Sequence, residues 1–296
     1  MKKTGLILLS GLFASITIAS LSIATKQIPP ATLSALRLAI ASAILVSMLL
    51  LLRPRYIWQL RRSADLALIG LLSVGLPSLA TPLALRHIPS SLVASLLITQ
   101  PMFTLAIAQL LLKDEKMGLV GFAGAVVSTA GAAILVLGSG NGVAARPDHG
   151  NVGQLLIVGG SLSAAAGIVY ARIRLREEDT AVLAAGPIFV GLALIAPLAV
   201  VTEGVPAFSA YPSYAWAATV IAAVGTVVGY WLVFYIITKY GASVAGLAGI
   251  ATPLFSVIIG VAFLGEGITL PIGLGTLMLL LGVYVCMTSR VSQVRE

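Results

Sequence analysis

Residues 92–115 read LVASLLITQPMFTLAIAQLLLKDE, and residues 244–267 read VAGLAGIATPLFSVIIGVAFLGEG. The two align without a gap at an offset of 152. Ile98 meets Ile250, Pro101 meets Pro253, Phe103 meets Phe255, Ile107 meets Ile259, Leu112 meets Leu264 and Asp114 meets Glu266. Gly121 and Gly273 carry the match onward. Chance agreement among apolar residues is common, but a shared Pro-x-Phe and a shared acidic exit are not. The chain carries the same unit twice.

Both copies lie in a chain that is 59% hydrophobic and 9% charged, with mean hydropathy +1.07. Soluble domains hold about 25% charged residues, and one core of this size cannot hide so much apolar surface. Lipid is the solvent this composition requires. Apolar runs near the roughly 20 residues of a spanning helix occupy 5–24, 31–52, 66–85, 90–112, 118–137, 152–173, 181–202, 215–238, 243–264 and 269–288, ten in all. They are continuous rather than alternating, which fits helices and not barrel strands. The MKK before the first run resembles the start of a secretory signal. Since 5–24 is long enough to span and has a counterpart in the second half, it reads as a retained first helix. The one long gap, GSGNGVAARPDHGN at 138–151, reads as a linker between two units, 1–137 and 152–296.

Five spans per unit is an odd number, so the second copy must cross the membrane inverted. The basic residues fix the orientation. Of the 18 Lys and Arg, Lys26, Arg86 and Arg146 fall on one side, Arg37 lies inside a run, and the remaining fourteen fall on the other. That excess places both termini in the cytoplasm of an inner-membrane protein. It also accounts for the net charge of +8 without a nucleic-acid partner. Span ends pair as well: Lys26 closes the first span and Arg172 the sixth, while Arg86 and His87 close the third and Lys239 the eighth. The expected fold class is an all-α polytopic membrane protein, ten helices in two inverted five-helix repeats. Inverted repeats are the design of secondary transporters, because mirrored halves can rock around one site.

An ordered set of features, on ten spans, resembles the EamA-type transporters of the drug/metabolite transporter superfamily. They are Lys26, Pro29-Pro30, Arg37, ALRHIPSSL at 84–92, PMFTLAIAQLLLKDE at 101–115 and PLFSVIIGVAFLGE at 253–266. The resemblance covers essentially the whole chain. It implies a ten-helix bundle that exports small metabolites, often amino acids or their analogues. The third span carries no aromatic residue, whereas relatives exporting aromatic amino acids tend to hold rings in their cavities, which disfavours an aromatic substrate.

Candidate substrate-binding residues are the polar and aromatic groups inside spans. Arg37 is first: an intramembrane guanidinium either snorkels to headgroups or faces the bundle interior, where it can meet carbonyls or an anionic substrate group. Gln100 and Thr252 precede Pro101 and Pro253 at equivalent repeat positions. Each proline kinks its helix and strips the helical donor from a carbonyl four residues earlier, Leu97 and Gly249. GYWLVFYII at 229–237 offers Tyr230 and Phe234 on one face and Trp231 and Tyr235 on the next, either as a cavity wall or as packing. Ser78, Thr17, Thr81 and Ser161 are weaker, since such hydroxyls commonly bond within or between helices. GTVVG at 225–229 reads as a helix-crossing motif.

No Asp or Glu falls in the central part of any span, so proton relays of the usual kind are missing and a facilitator or weakly coupled exporter is expected. Two His and one Cys, Cys286, offer no metal cluster and no internal disulfide, and no phosphate-binding loop is present. Neither cofactor nor metal is expected. The partners are a small molecule and the lipid bilayer; a monomer is compatible with the sequence, which does not fix the oligomeric state. The most favoured function is alternating-access export of a small metabolite, an amino acid or related compound, across the inner membrane. A drug or nucleotide-sugar permease of the same fold and an intramembrane enzyme are the competing readings.

Overall fold

The computed structural model describes residues 3–52, 63–111, 119–138, 150–174, 180–240, 252, 255–265 and 269–293. Within them the chain forms helices α1 (Lys3–Ala24), α2 (Pro30–Leu52), α3 (Ser63–Ile69), α4 (Leu76–Leu85), α5 (Ser90–Leu97), α6 (Thr99–Leu111) and α7 (Leu119–Gly138). The second half gives α8 (Gly150–Arg174), α9 (Thr180–Glu203), α10 (Ser213–Tyr240), α11 (Phe255–Leu264) and α12 (Leu270–Gln293). No strand occurs among the described residues. In hydrocarbon every backbone group must be satisfied within the chain, and helices do this segment by segment. Among the described residues, six stretches are long and apolar enough to cross a membrane: Gly5–Ala24, Pro30–Met48, Ala64–Leu85, Asn151–Arg174, Ala185–Glu203 and Ser213–Leu232.

Two of the expected spans are not uniform helices. The fourth, 90–112, breaks at Ile98, whose N–H bonds back only three residues, to the Ser95 carbonyl at 3.2 Å. Pro101 follows three residues later, and its missing N–H together with its ring explains why the α register fails there. The third span runs from α3 into a π-helical segment, Gly70–Gly75, and out into α4. Half of the ninth, 243–264, lies outside the described residues, Pro253 included.

Helix packing follows a pattern. The first span lies antiparallel on the eighth: Phe13 and Thr17 meet Gly225, while Leu21 and Ala24 share a buried cluster with Ala215 and Ala218. The third lies antiparallel on the sixth, with Asp65 against Tyr170, Ser73 against Gly167, Ala80 against Gly160 and His87 against Gly153. The second meets the seventh, the first residues of α2 touching the last of α9. α7 crosses α12 through small residues, Gly131 on Gly275 and Leu279, Gly282 on Gly124 and Ser128. The third span also touches the seventh, and the second touches the eighth. Replacing each span by the one five places away maps this set of contacts onto itself.

Candidate functional site

The π segment decides what the centre of the bundle displays. A π turn spans five residues where an α turn spans four, and Leu76 accordingly donates its N–H to the Leu71 carbonyl. The next donor in line is Pro77, which has no N–H. Two carbonyls lose their helical partner through it: Leu72, five residues back in the π register, and Ser73, four residues back in the α register. Each is met from another helix. Ser163 Oγ of α8 donates to the Leu72 carbonyl at 2.9 Å, and the Tyr230 phenol of α10 reaches the Ser73 carbonyl at 3.5 Å. Pro82 does the same one turn further on, to Ser78. Ser34 Oγ of α2 stands 2.8 Å from that carbonyl. The third span thus presents three released carbonyls, Leu72, Ser73 and Ser78, each met by a hydroxyl from a different neighbour. Applied to Pro77 and Pro82, the donor-loss argument used for Pro101 and Pro253 locates this seam from sequence.

Arg37 lies next to it. The side chain is only 7% exposed, so it does not snorkel, and Nη1 donates to Thr226 Oγ1 at 3.3 Å. Its Nε is buried with no hydrogen-bond partner. Tyr230, one turn along α10 from Thr226, packs against the buried cluster that holds Leu38 and Ala41 of α2. Thr226 was not singled out in the sequence, because a helical threonine ordinarily satisfies itself on its own backbone. It does so here too, donating to the Ala222 carbonyl at 2.8 Å, which leaves the oxygen's lone pairs for Arg37.

A second polar group surrounds Gln100. Thr81, Gln100 and Ser161 line one narrow cleft with Pro77, Ala80, Leu97, Ile157 and Gly160. Ser161 Oγ is buried in it without a partner. The corresponding place in the other half is closed: Ser15 Oγ stands 2.7 Å from the Thr252 carbonyl, fully buried. The correspondence is by position, Ser15 with Ser161 at the offset of 146 that also relates Lys26 to Arg172, and Gln100 with Thr252 at the offset of 152.

The remaining candidates fall less centrally. Ser78 is buried and enters the site through its carbonyl rather than its hydroxyl. Thr17 donates to Phe13 of its own helix at 2.8 Å and serves the crossing with Gly225. Only the first glycine of GTVVG is at that crossing, since Gly229 faces open space. Trp231 is 41% exposed, on a stripe of exposed residues with Val220, Val224 and Tyr235. Successive residues on a helix point about 100° apart, so Trp231 points away from the direction in which Tyr230 meets the third span. Phe234 lies outside the described side chains.

The EamA-like transporter family model matches the chain twice, over residues 2–137 and 151–288. The chain belongs to the EamA-like transporter family. It is 29% identical over 251 residues to the uncharacterized inner membrane transporter YedA of Escherichia coli K12, a match covering 82% of this chain and 77% of that one. The YedA proteins of Escherichia coli O6:H1 and O157:H7 match equally. A crystal structure at 20% identity superposes with a TM-score of 0.69 over 97% of each chain, a likeness of fold. The two family matches divide the EamA-like chain on either side of residues 138–150.

Proposed function

We propose that this EamA-like chain is a multi-pass inner-membrane transporter that exports a small metabolite, an amino acid or related compound, by alternating access. Two inverted five-helix halves, with both termini in the cytoplasm, rock about a site formed by Arg37, Tyr230, Thr226 and the released carbonyls of the third span. The observation that carries this reading is the packing pattern: exchange of halves preserves which helices touch, and the principal pairs run antiparallel. Such symmetry gives two arrangements of nearly equal energy, one open to each side. The state of the two Ser junctions supports it. Ser15 is engaged with Thr252, while Ser161, lining a narrow cleft with Gln100, is buried with no partner for its hydroxyl.

The test is protection. A strain expressing the chain is challenged with a panel of toxic amino-acid and metabolite analogues, and intracellular analogue is measured. Protection against one class, lost in Tyr230→Ala or Gln100→Ala at equal protein level, is the expected result. A chain that lowers intracellular levels of no analogue would overturn the transport reading; protection that survives both variants would overturn the site.

A further inference from the structure

We infer that Arg37 receives the one negative charge of a monocarboxylate substrate, and that export is driven by the membrane potential acting on this site. The inference rests on the transport reading above and narrows its substrate, from an amino acid or related compound to a related compound with one carboxylate and no ammonium. Arg37 is more than nine-tenths buried, its Nη1 is held by a neutral hydroxyl, and its Nε has no partner. A buried guanidinium without a counter-charge is costly, so something must neutralise it during the cycle.

No side chain among the described residues does. The acidic ones are Asp65 and Glu203, and both are occupied at span ends. Asp65 accepts from the Tyr170 hydroxyl at 2.6 Å and lies 3.5 Å from Arg174 Nε. The Glu203 oxygens accept from the Ala31 and Thr32 amides at 3.0 and 2.7 Å. The other carboxylates of the chain lie, in sequence, between or beyond the apolar runs. The planar fork of Arg, with one arm taken by Thr226, matches one carboxylate. A zwitterion would bring an ammonium for which these residues hold no carboxylate, whereas a monoanion is neutralised completely.

The sign of the coupling follows. The empty site carries +1, and the site loaded with a monoanion is neutral. With the cell interior negative, return of the empty site from outward to inward access moves positive charge toward the negative side and is favoured. The loaded step is indifferent to voltage. Each cycle removes one negative charge from the cell, so the potential supports an outward gradient of about tenfold for each ~59 mV, and no proton relay is needed.

Two measurements on the purified full-length chain test this. The first is thermal stability in detergent with glycolate, 3-hydroxybutyrate and benzoate against their uncharged amides at fixed ionic strength. The carboxylates should raise Tm and the amides should not, with the shift lost in Arg37→Gln and partly kept in Arg37→Lys. Equal shifts from acids and amides, or an unchanged shift in Arg37→Gln, overturns the anion site. Should Arg37→Gln fail to fold, Thr226→Val releases Nη1 and should weaken carboxylate binding several-fold; an unchanged midpoint overturns the site. The second is flux of the same labelled acids in proteoliposomes under a potassium–valinomycin potential, with protein-free vesicles subtracted. The distribution should follow the imposed potential, and voltage-independent flux overturns the coupling. Carboxylate binding without flux counts against transport while leaving the anion site standing. Flux of amides equal to that of acids sinks the anion site while leaving transport standing.

Discussion

The hydroxyl of Ser34 stands 2.8 Å from the carbonyl oxygen of Ser78, the carbonyl that Pro82 leaves without a helical donor. Both residues are buried, so water cannot take the hydroxyl's place. Ser34→Ala should destabilise the protein by about 1–3 kcal/mol, the cost of an unsatisfied buried acceptor. Pro82→Ala restores an N–H four residues along, so the double variant should recover most of the loss. A double-mutant cycle in SDS-titrated unfolding measures it.

Glu203 holds the start of α2 from the end of α9. Gly204, at φ 80°, stops α9 in the left-handed conformation, its N–H closing on the Val200 carbonyl at 3.0 Å. That stop sets the Glu203 carboxylate against the Ala31 and Thr32 amides. Glu203→Ala should cost about 0.5–2 kcal/mol, as loss of a helix cap does, and should accelerate hydrogen exchange at those two amides before any other part of α2.

The crossing of α1 and α10 requires the absence of a side chain at one glycine and not at the other. A Cβ at position 225 would run into Thr17 and the Phe13 carbonyl, whereas one at 229 meets nothing. Gly225→Val should lower the yield of monodisperse protein and its Tm sharply. Gly229→Ala should leave both unchanged, as read by fluorescence-detected size exclusion.

The two Ser junctions should report the direction of access. With Cys286 replaced by Ala, neither Ser15→Cys nor Ser161→Cys should react with a thiol reagent in the absence of substrate, since both side chains are buried. An imposed substrate gradient should open one of the two, and the reversed gradient the other. Labelling that stays fixed under every gradient would exclude rocking about these junctions.

On α10, adjacent residues should differ. Tyr230→Phe removes the hydroxyl that reaches the Ser73 carbonyl and should reduce transport. Trp231→Leu, on the exposed stripe, should leave it within twofold, by direct comparison of efflux rates at equal protein level.

Much of this was legible in the sequence. The repeat, the polar Arg37 inside a run and the break near Pro101 all depend on covalent facts, a charge or a missing N–H, that hold whatever the neighbours are. Facing was not legible. A membrane helix is apolar on its lipid side and apolar on much of its packed side, so periodicity does not separate Tyr230 from Trp231; only contact with the third span and α2 does. The π segment escaped for a related reason. Nothing in GLLSVG forbids an α turn, and it is Gly70 against Val190 and Gly191 against Val74 that press the two spans together there. Thr226 escaped because its own helix already satisfies its donor.

The extra residue in the turn at Gly70–Gly75 sets the two ends of the third span out of phase. Relative to an unbroken α-helix, one surplus residue rotates everything before it by about 100° about the axis. That rotation lets Asp65 aim at Tyr170 while Ser78 aims at α2. A straight α-helix of the same residues, with no wide turn to absorb the surplus one, could not satisfy both ends at any single azimuth.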